Sequence, residues 1–351
     1  MPEPIIGHIR ALFPSRKFEM VTISAPQEEI SEAIIRDSQL FNRLAESFRR
    51  GASFDFWGFT PKVESLLMRL NEVGALPKNV RLPSVGQRWR CSYLGSKSGF
   101  RDFSLQRELP LPDGWVLSSL ELALDATANF SLGGERVVIK ADRGVGGACQ
   151  LFSPPPSPEM KIFKGRLDFL SRRVPELGGG TVIVEQEIEG GRSLSGQGFC
   201  DGSGYFSTHF TALHLHCQVP GGALIGKDVI ECEVEKKLLI LLKKVGRAVS
   251  LFGYRGVLGV DFITDDKGEL FLLEFNPRRT SLSHAMPLLE GLLGKGWRNS
   301  ATILIAGPVG FSCTLSEPLG GVEGSLFERG SGEGIVLTSF TKSGLVTFRA
   351  S

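Results

Sequence analysis

LFLLEFNPRR, residues 270–279, decides how the chain is read. Leu270–Leu273 are four apolar residues in a row, the pattern of a buried strand, yet the run ends in Glu274, with Asn276 two positions on and Arg278 and Arg279 just beyond. Residues i and i+2 of a strand project to the same side, so Glu274 and Asn276 can address one object. Two oxygen donors at a strand end suit a hard cation such as Mg²⁺. Taken alone, the decapeptide reads equally well as a strand running into a solvated turn at Asn-Pro.

The sequence just upstream weighs on that choice. GVLGVDFITDDKGELFLLEFN has the form of a hairpin, two apolar strands around Asp265-Asp266-Lys267-Gly268. Asp261 and Glu274 are nearly equidistant from the turn, so pairing brings Asp261 opposite Glu274. Three oxygen donors, from Asp261, Glu274 and Asn276, then face one spot in otherwise buried strands. A shared Mg²⁺ accounts for this better than solvation does.

Composition bounds the rest. The chain has 351 residues, 42% hydrophobic and 22% charged, with a net charge of +2, enough for two or three domains and a large core. Near-neutrality gives no global argument for nucleic acid or an anionic membrane, so neither partner is expected. Apolar runs are short and the N-terminus lacks a signal-peptide shape, so a cytoplasmic protein is expected. The six cysteines form no CxxC pair, which favours reduced thiols. His214 and His216 share one face of a strand in TALHLHC and read as a polar strand face rather than a metal site.

The fold class expected is α/β with α+β subdomains. Residues 1–92 mix helical stretches, EEISEAIIRDSQLFNRLAESFRR and TPKVESLLMRLNEVGAL, with the strand candidates EMVTIS and FDFWGF, an α/β N-terminal domain. Thr60 before Pro61 marks a helix start. The Pro-, Gly-, Arg- and Ser-rich stretch around 81–114 looks like a boundary, and residues 93–190, with a linker, are expected to form a small lid subdomain. It contains the helix ELALDATANF, the strand RVVIK, the loop ADRGVGGA, a helix candidate KGRLDFLSRRV and the strand TVIVEQEI. Residues 191–351 are expected to carry the metal site, with a turn at VPGG, a long helix striped by Leu238, Leu241, Leu242 and Val245, and a terminal hairpin joined through TKSG.

Lys140 closes the apolar run VVI and leads into Arg143, Gly144, Gly146 and Gly147. Such a loop can turn backbone N–H groups toward an anion, with the lysine as a point charge on phosphate, although glycine loops of this kind also occur in ordinary turns. TVIVEQEI brings Glu185, Glu187 and the backbone of Gln186–Ile188 to a strand edge where a purine could be bound, or simply to an exposed face. No Ser/His/Asp or Cys/His arrangement stands out, and Cys149 reads as a small packing residue.

In their order, SK at 96–97, RVVIKADRGVGG, TVIVEQEIEGG, GVLGVDF and LFLLEFNPR resemble the ATP-grasp family over roughly residues 90–295. That resemblance implies an ATP-grasp fold behind an α/β N-terminal domain, and enzymes that activate a carboxylate as an acyl-phosphate for attack by an amine. It implies ATP and Mg²⁺, with Mn²⁺ as an alternative, and small-molecule partners, a carboxylate and an amine of amino-acid or short-peptide type; it leaves homodimerisation open. Lys97 and Lys140 would contact phosphates, together with Gly144, Gly146 and Gly147. Glu185, Gln186, Glu187 and Ile188 would hold adenine, and Asp261, Glu274 and Asn276 the Mg²⁺. Arg278 would sit by the γ-phosphate or the acyl-phosphate, with Arg279, Ser281 and His284 facing substrate. Gly191-Arg192-Ser193 departs from the acidic ribose-binding pattern, leaving that contact to Glu187 or Glu189. NPRRTSLSHAMPLL and GGALIGKDV look most like the amino-acid and peptide ligase branch, with the pheganomycin-type peptide ligases the nearest pattern. A carboxylase, another acyl-phosphate-forming enzyme, or a non-catalytic nucleotide-binding protein are the other readings.

Overall fold

The computed structural model describes residues 7, 10–12, 30–54, 56, 58–80, 82–132, 136–143, 150–152, 180–216, 220–283, 285–299, 302–306, 334–341 and 344–350. The chain divides into two compact units. The first comprises Met1–Arg88, Arg278–Gly294 and Pro308–Ser351; the second comprises Trp89–Pro277 and Lys295–Gly307.

In the first unit, the helical stretch 28–50 is broken in two, α1 (Ile30–Arg36) and α2 (Ser38–Arg49). The cause is Asp37, whose extended backbone and carboxylate, accepting from Gln39 N and Leu40 N at 3.0 Å, start a new helix. α3 (Pro61–Glu72) begins where the sequence indicates, with Thr60 accepting from Val63 N and Pro61 in the first turn. FDFWGF, expected as a strand, is irregular over its described residues. Packing explains the difference: Phe54 and Phe56 enter an aromatic chain from Phe48 to Phe59, with centroids 5.5 to 6.0 Å apart, over a core of Leu66, Leu67 and Leu70. EMVTIS lies outside the described residues. GIVLTSF and GLVTFRA pair as the expected antiparallel hairpin, with Gly334 opposite Ala350 and Thr341 opposite Gly344.

The second unit is built on antiparallel sheets. α4 (Val85–Leu94) leads into it, and α5 (Lys97–Leu105) follows. One sheet joins β1 (Gly114–Leu117), β2 (Val137–Ala141), β3 (Gln150–Phe152) and β4 (Val182–Gln186) in the order β1-β4-β2-β3, with α6 (Leu120–Leu132) closing its core of Ala123, Val137, Ile139, Val182 and Val184. The other sheet runs through β5 (Ser193–Asp201), β6 (Phe206–His216), β7 (Pro220–Gly226), β8 (Arg255–Thr264), β9 (Leu270–Asn276) and β10 (Thr302–Ala306), with neighbours in the order β10-β7-β6-β5-β8-β9. Of the expected turn residues VPGG, Pro220 to Gly222 open β7, and Val219 lies outside the described residues. KGRLDFLSRRV lies outside the described residues.

α7 (Cys232–Leu251) packs on β5 and β6. Its stripe Leu238, Leu242 and Val245 is fully buried against Leu258, Val260, Phe262 and Phe275, each such side chain contributing about 1.5–3 kcal/mol of apolar burial. In the β8–β9 turn, Asp265 Oδ1 accepts from Lys267 N and Glu269 N, and Gly268 takes φ +76°, a conformation that favours glycine. No helix among the described residues is long and apolar enough to cross a membrane.

Candidate active site

The β8–β9 hairpin sets the first half of the site. Gly259 pairs with Asn276 and Asp261 with Glu274, and the register then slips so that Phe262 pairs with Leu272. The extra residue in β9, Leu273, makes a bulge beside the acidic pair, a device that re-aims side chains. Asn276 Nδ2 donates to Asp261 Oδ2 at 3.0 Å, which leaves the Asn276 amide oxygen as the atom able to ligate. Asp261 and Glu274 are side by side, and carboxylates facing each other repel unless cations lie between or beside them. Two carboxylates partly open to solvent, with the amide oxygen of the buried Asn276, are a fitting set for a hard divalent cation. Among the described residues, no group of three His, Cys, Asp or Glu side chains is arranged to hold a metal.

Two cationic or ionisable groups approach this pair. Lys97 Nζ is 3.7 Å from Glu274 Oε2 and buried, and His214 Nε2 is 3.8 Å from Asp261 Oδ1. His214 arrives through strand order. Ser195 on β5 pairs with both Ala212 on β6 and Asp261 on β8, and His214, two residues beyond Ala212, projects from the same face. The sequence reading treated His214 as strand-face polarity; only the adjacency of β6, β5 and β8, which no local pattern encodes, brings it to the carboxylate.

Lys97 is fixed by the start of α5. Ser96 Oγ accepts from Gly99 N at 3.1 Å, while Lys97 N donates to Asp142 O at 3.0 Å and Ser98 N to Asp142 Oδ1 at 2.8 Å. Asp142 therefore ties α5 to the end of β2. One turn on from Lys97, on the same helix face, Arg101 points into the other sheet. Its Nη1 donates to Glu185 Oε1 at 3.1 Å, and its Nη2 donates to Pro112 O and Gly114 O at 3.0 and 2.8 Å. Lys140 Nζ donates to Glu185 Oε2. In the β2–β4 register Val138 opposes Glu185, so Lys140 and Glu185 are diagonal neighbours on one face. The structure thus joins Lys140 and Glu185, which the sequence reading took separately, and adds Arg101, which it did not single out.

Gln186 N and Glu187 N donate to Asp113 O and Arg136 O at 2.7 and 2.8 Å. Burial raises the carboxyl pKa of Glu187, opposed by Arg136, whose Nε lies 3.0 Å from Oε2 without a directed hydrogen bond. Ile188 follows the strand end, half-buried. Gly144, Gly146, Gly147, Cys149 and His284 lie outside the described residues. Arg278 and Arg279 belong to the first unit, where Arg278 Nη1 donates to Arg279 O at 3.1 Å and Arg278 Cβ lies 3.3 Å from the space a side chain at Gly58 would occupy.

No protein-family model matches the chain, and no curated protein matches its sequence. Solved structures do. The biotin carboxylase domain of Hydrogenobacter thermophilus 2-oxoglutarate carboxylase, in complex with MgADP, ADP and bicarbonate, is similar with a TM-score of 0.61 and 16% identity, over 88% of this chain and 72% of that one. Biotin carboxylase from Campylobacter jejuni, solved with a β,γ-ATP ligand, gives 0.59 and 13% over 90% and 75%. L-amino acid ligase from Bacillus licheniformis gives 0.51 and 16% over 91% and 81%. Two carboxylate-bearing strands in a hairpin, a second sheet that carries a buried lysine–glutamate pair, and these likenesses together establish that the chain has the ATP-grasp fold.

Proposed function

We propose that the protein is an ATP-dependent carboxylate–amine ligase that joins amino-acid or short-peptide partners through an acyl-phosphate and releases ADP and phosphate. The observation that carries the reading is the convergence of Asp261, Glu274 and Asn276 on one end of the β8–β9 hairpin with the Lys97 ammonium beside Glu274. Phosphoryl transfer to a carboxylate asks for charge neutralisation and in-line placement more than for acid–base groups, and this is a set of charges rather than a proton relay. The fold supports the reading, since two of the similar structures named above carry MgADP or β,γ-ATP, and the third is an L-amino acid ligase.

Asp261, Glu274 and the Asn276 amide oxygen are the residues that would hold Mg²⁺, which when bound supplies neutralisation of phosphate charge. Lys97 and Lys140 would bear on the phosphates. A substrate carboxylate oxygen attacks the γ-phosphorus as the bond to the β-bridging oxygen breaks, giving ADP and an acyl-phosphate. The amine nitrogen then attacks the carbonyl carbon, phosphate leaves, and the nitrogen loses its proton. Arg278 is assigned to the acyl-phosphate and Arg279 to a substrate carboxylate, on the strength of the forked donors a guanidinium presents. Gly144, Gly146 and Gly147 are assigned to the phosphates and Gln186 through Ile188 to the adenine edge, while the Glu185 carboxylate, expected there from the sequence, is taken up by Arg101 and Lys140. Phosphate release measured across pairs of amino acids and short peptides, with bicarbonate as a competing acceptor, tests the assignment: release that needs bicarbonate and no amine would turn the reading to a carboxylase.

A further inference from the structure

The cluster of Arg101, Lys140 and Glu185 is almost completely buried, with exposures of 5%, 5% and 4%, and it holds two cations against one carboxylate. The two Glu185 oxygens are divided between them, Oε1 to Arg101 and Oε2 to Lys140. Arg101 is not free to follow a ligand, because its second nitrogen is fixed by the carbonyls of Pro112 and Gly114 on the β1 side. Lys140, by contrast, stands on a single-point ammonium at the end of β2, next to the loop expected to meet phosphate.

We propose that Arg101 is a positioning residue that lets Lys140 exchange partners: it keeps Glu185 compensated when the Lys140 ammonium turns from the carboxylate to a nucleotide phosphate. This rests on the ATP-binding reading above. A buried carboxylate stripped of its sole cation is strongly unfavourable, so a Lys140–Glu185 pair alone would resist opening. With Arg101 donating to Oε1 from a fixed fork, the departure of Lys140 leaves the carboxylate paired, and the excess positive charge of the cluster is matched by the incoming anion. Arg101 therefore acts on nucleotide affinity through Glu185, without touching the nucleotide.

A double-mutant cycle read by calorimetric titration with Mg²⁺–ADP tests this, using full-length protein whose fold is checked by thermal melting. Arg101→Met is expected to weaken Mg²⁺–ADP binding about tenfold in the presence of Glu185, and less than about twofold in a Glu185→Gln background, where no buried carboxylate is left for Arg101 to compensate. Equal losses in both backgrounds would show Arg101 to be merely structural and overturn the inference while leaving the ATP reading intact. Wild-type protein that binds no Mg²⁺–ADP would overturn both. Should Arg101→Met fail to fold, Arg101→Lys, which keeps the charge and loses the fork, goes through the same cycle and the same two outcomes decide.

Discussion

Lys97 Nζ lies 3.7 Å from Glu274 Oε2, so the helix that opens at Ser96 delivers a buried cation to the carboxylate at the end of β9. The pair joins residues far apart in sequence, and it gives the β8–β9 hairpin a charge environment that a phosphate and a divalent cation can enter.

Replacement of Glu274 by Gln or of Asn276 by Ala is expected to leave the fold intact and to lower ATP-dependent turnover by at least about a hundredfold, since each removes a charge or an oxygen donor from the set that faces Asp261. The melting temperature and ADP release, measured on the same preparations, check this. Turnover at the wild-type rate in either variant would remove the hairpin from the mechanism.

The Lys140–Glu185–Arg101 cluster makes an asymmetric prediction for stability. Glu185→Ala leaves two buried cations without their carboxylate and is expected to cost about 3–5 kcal/mol. Lys140→Ala leaves Glu185 still bonded to Arg101, so its cost is expected to be nearer 1–3 kcal/mol, although it weakens nucleotide binding and slows turnover. Urea titrations of the two variants decide the order; a larger loss for Lys140→Ala would mean that Arg101 does not compensate Glu185.

Gly246 on α7 and Gly198 on β5 both lie against the ring of Phe206, where an added Cβ would come within 2.3 and 2.4 Å of ring carbons. Gly246→Ala is therefore expected to destabilise the second unit by about 1–3 kcal/mol through overpacking. Chemical denaturation measures it, and an unchanged midpoint would mean that the ring moves aside at no cost.

Cys200 is fully buried and donates to Gly246 O at 3.3 Å; burial, and then the charge of Asp201, push its thiol up to about 12. A raised thiol pKa keeps the group protonated, so at about pH 8 almost no thiolate exists to react. Cys232 is exposed. Alkylation of folded protein with iodoacetamide followed by peptide mapping should mark Cys232 and spare Cys200, whereas equal labelling would show that the β5–α7 packing opens readily.

Much of the hairpin site is legible in the sequence because it is local. Alternation, the DDKG turn and equal spacing from it give the pairing of Asp261 with Glu274 without knowledge of any other strand. Thr60-Pro61 declares a helix start for the same reason. The break at Asp37 also has a local signal, since Asp followed by Ser inside a helical pattern is a capping signal, but the unbroken apolar periodicity of 28–50 masks it. FDFWGF misled because aromatic residues favour strands and also fill cores, and here their packing against Phe48 and Phe59 prevails. Contacts that depend on which strands become neighbours were beyond reach. His214 meets Asp261 through the order β6-β5-β8, and Arg101 meets Glu185 across 84 positions of sequence.

The step proposed for the Asp261–Glu274–Asn276 site is cleavage of ATP between its β and γ phosphates to activate a carboxylate. Its most direct test is chromatography of the nucleotide products when protein, Mg²⁺ and ATP are incubated with a panel of amino acids and short peptides, with hydroxylamine present to trap an activated carboxylate. ADP and phosphate with a matching hydroxamate are expected from the wild type, and neither from Glu274→Gln. AMP with pyrophosphate, or ADP and hydroxamate formation undiminished in Glu274→Gln, would contradict it.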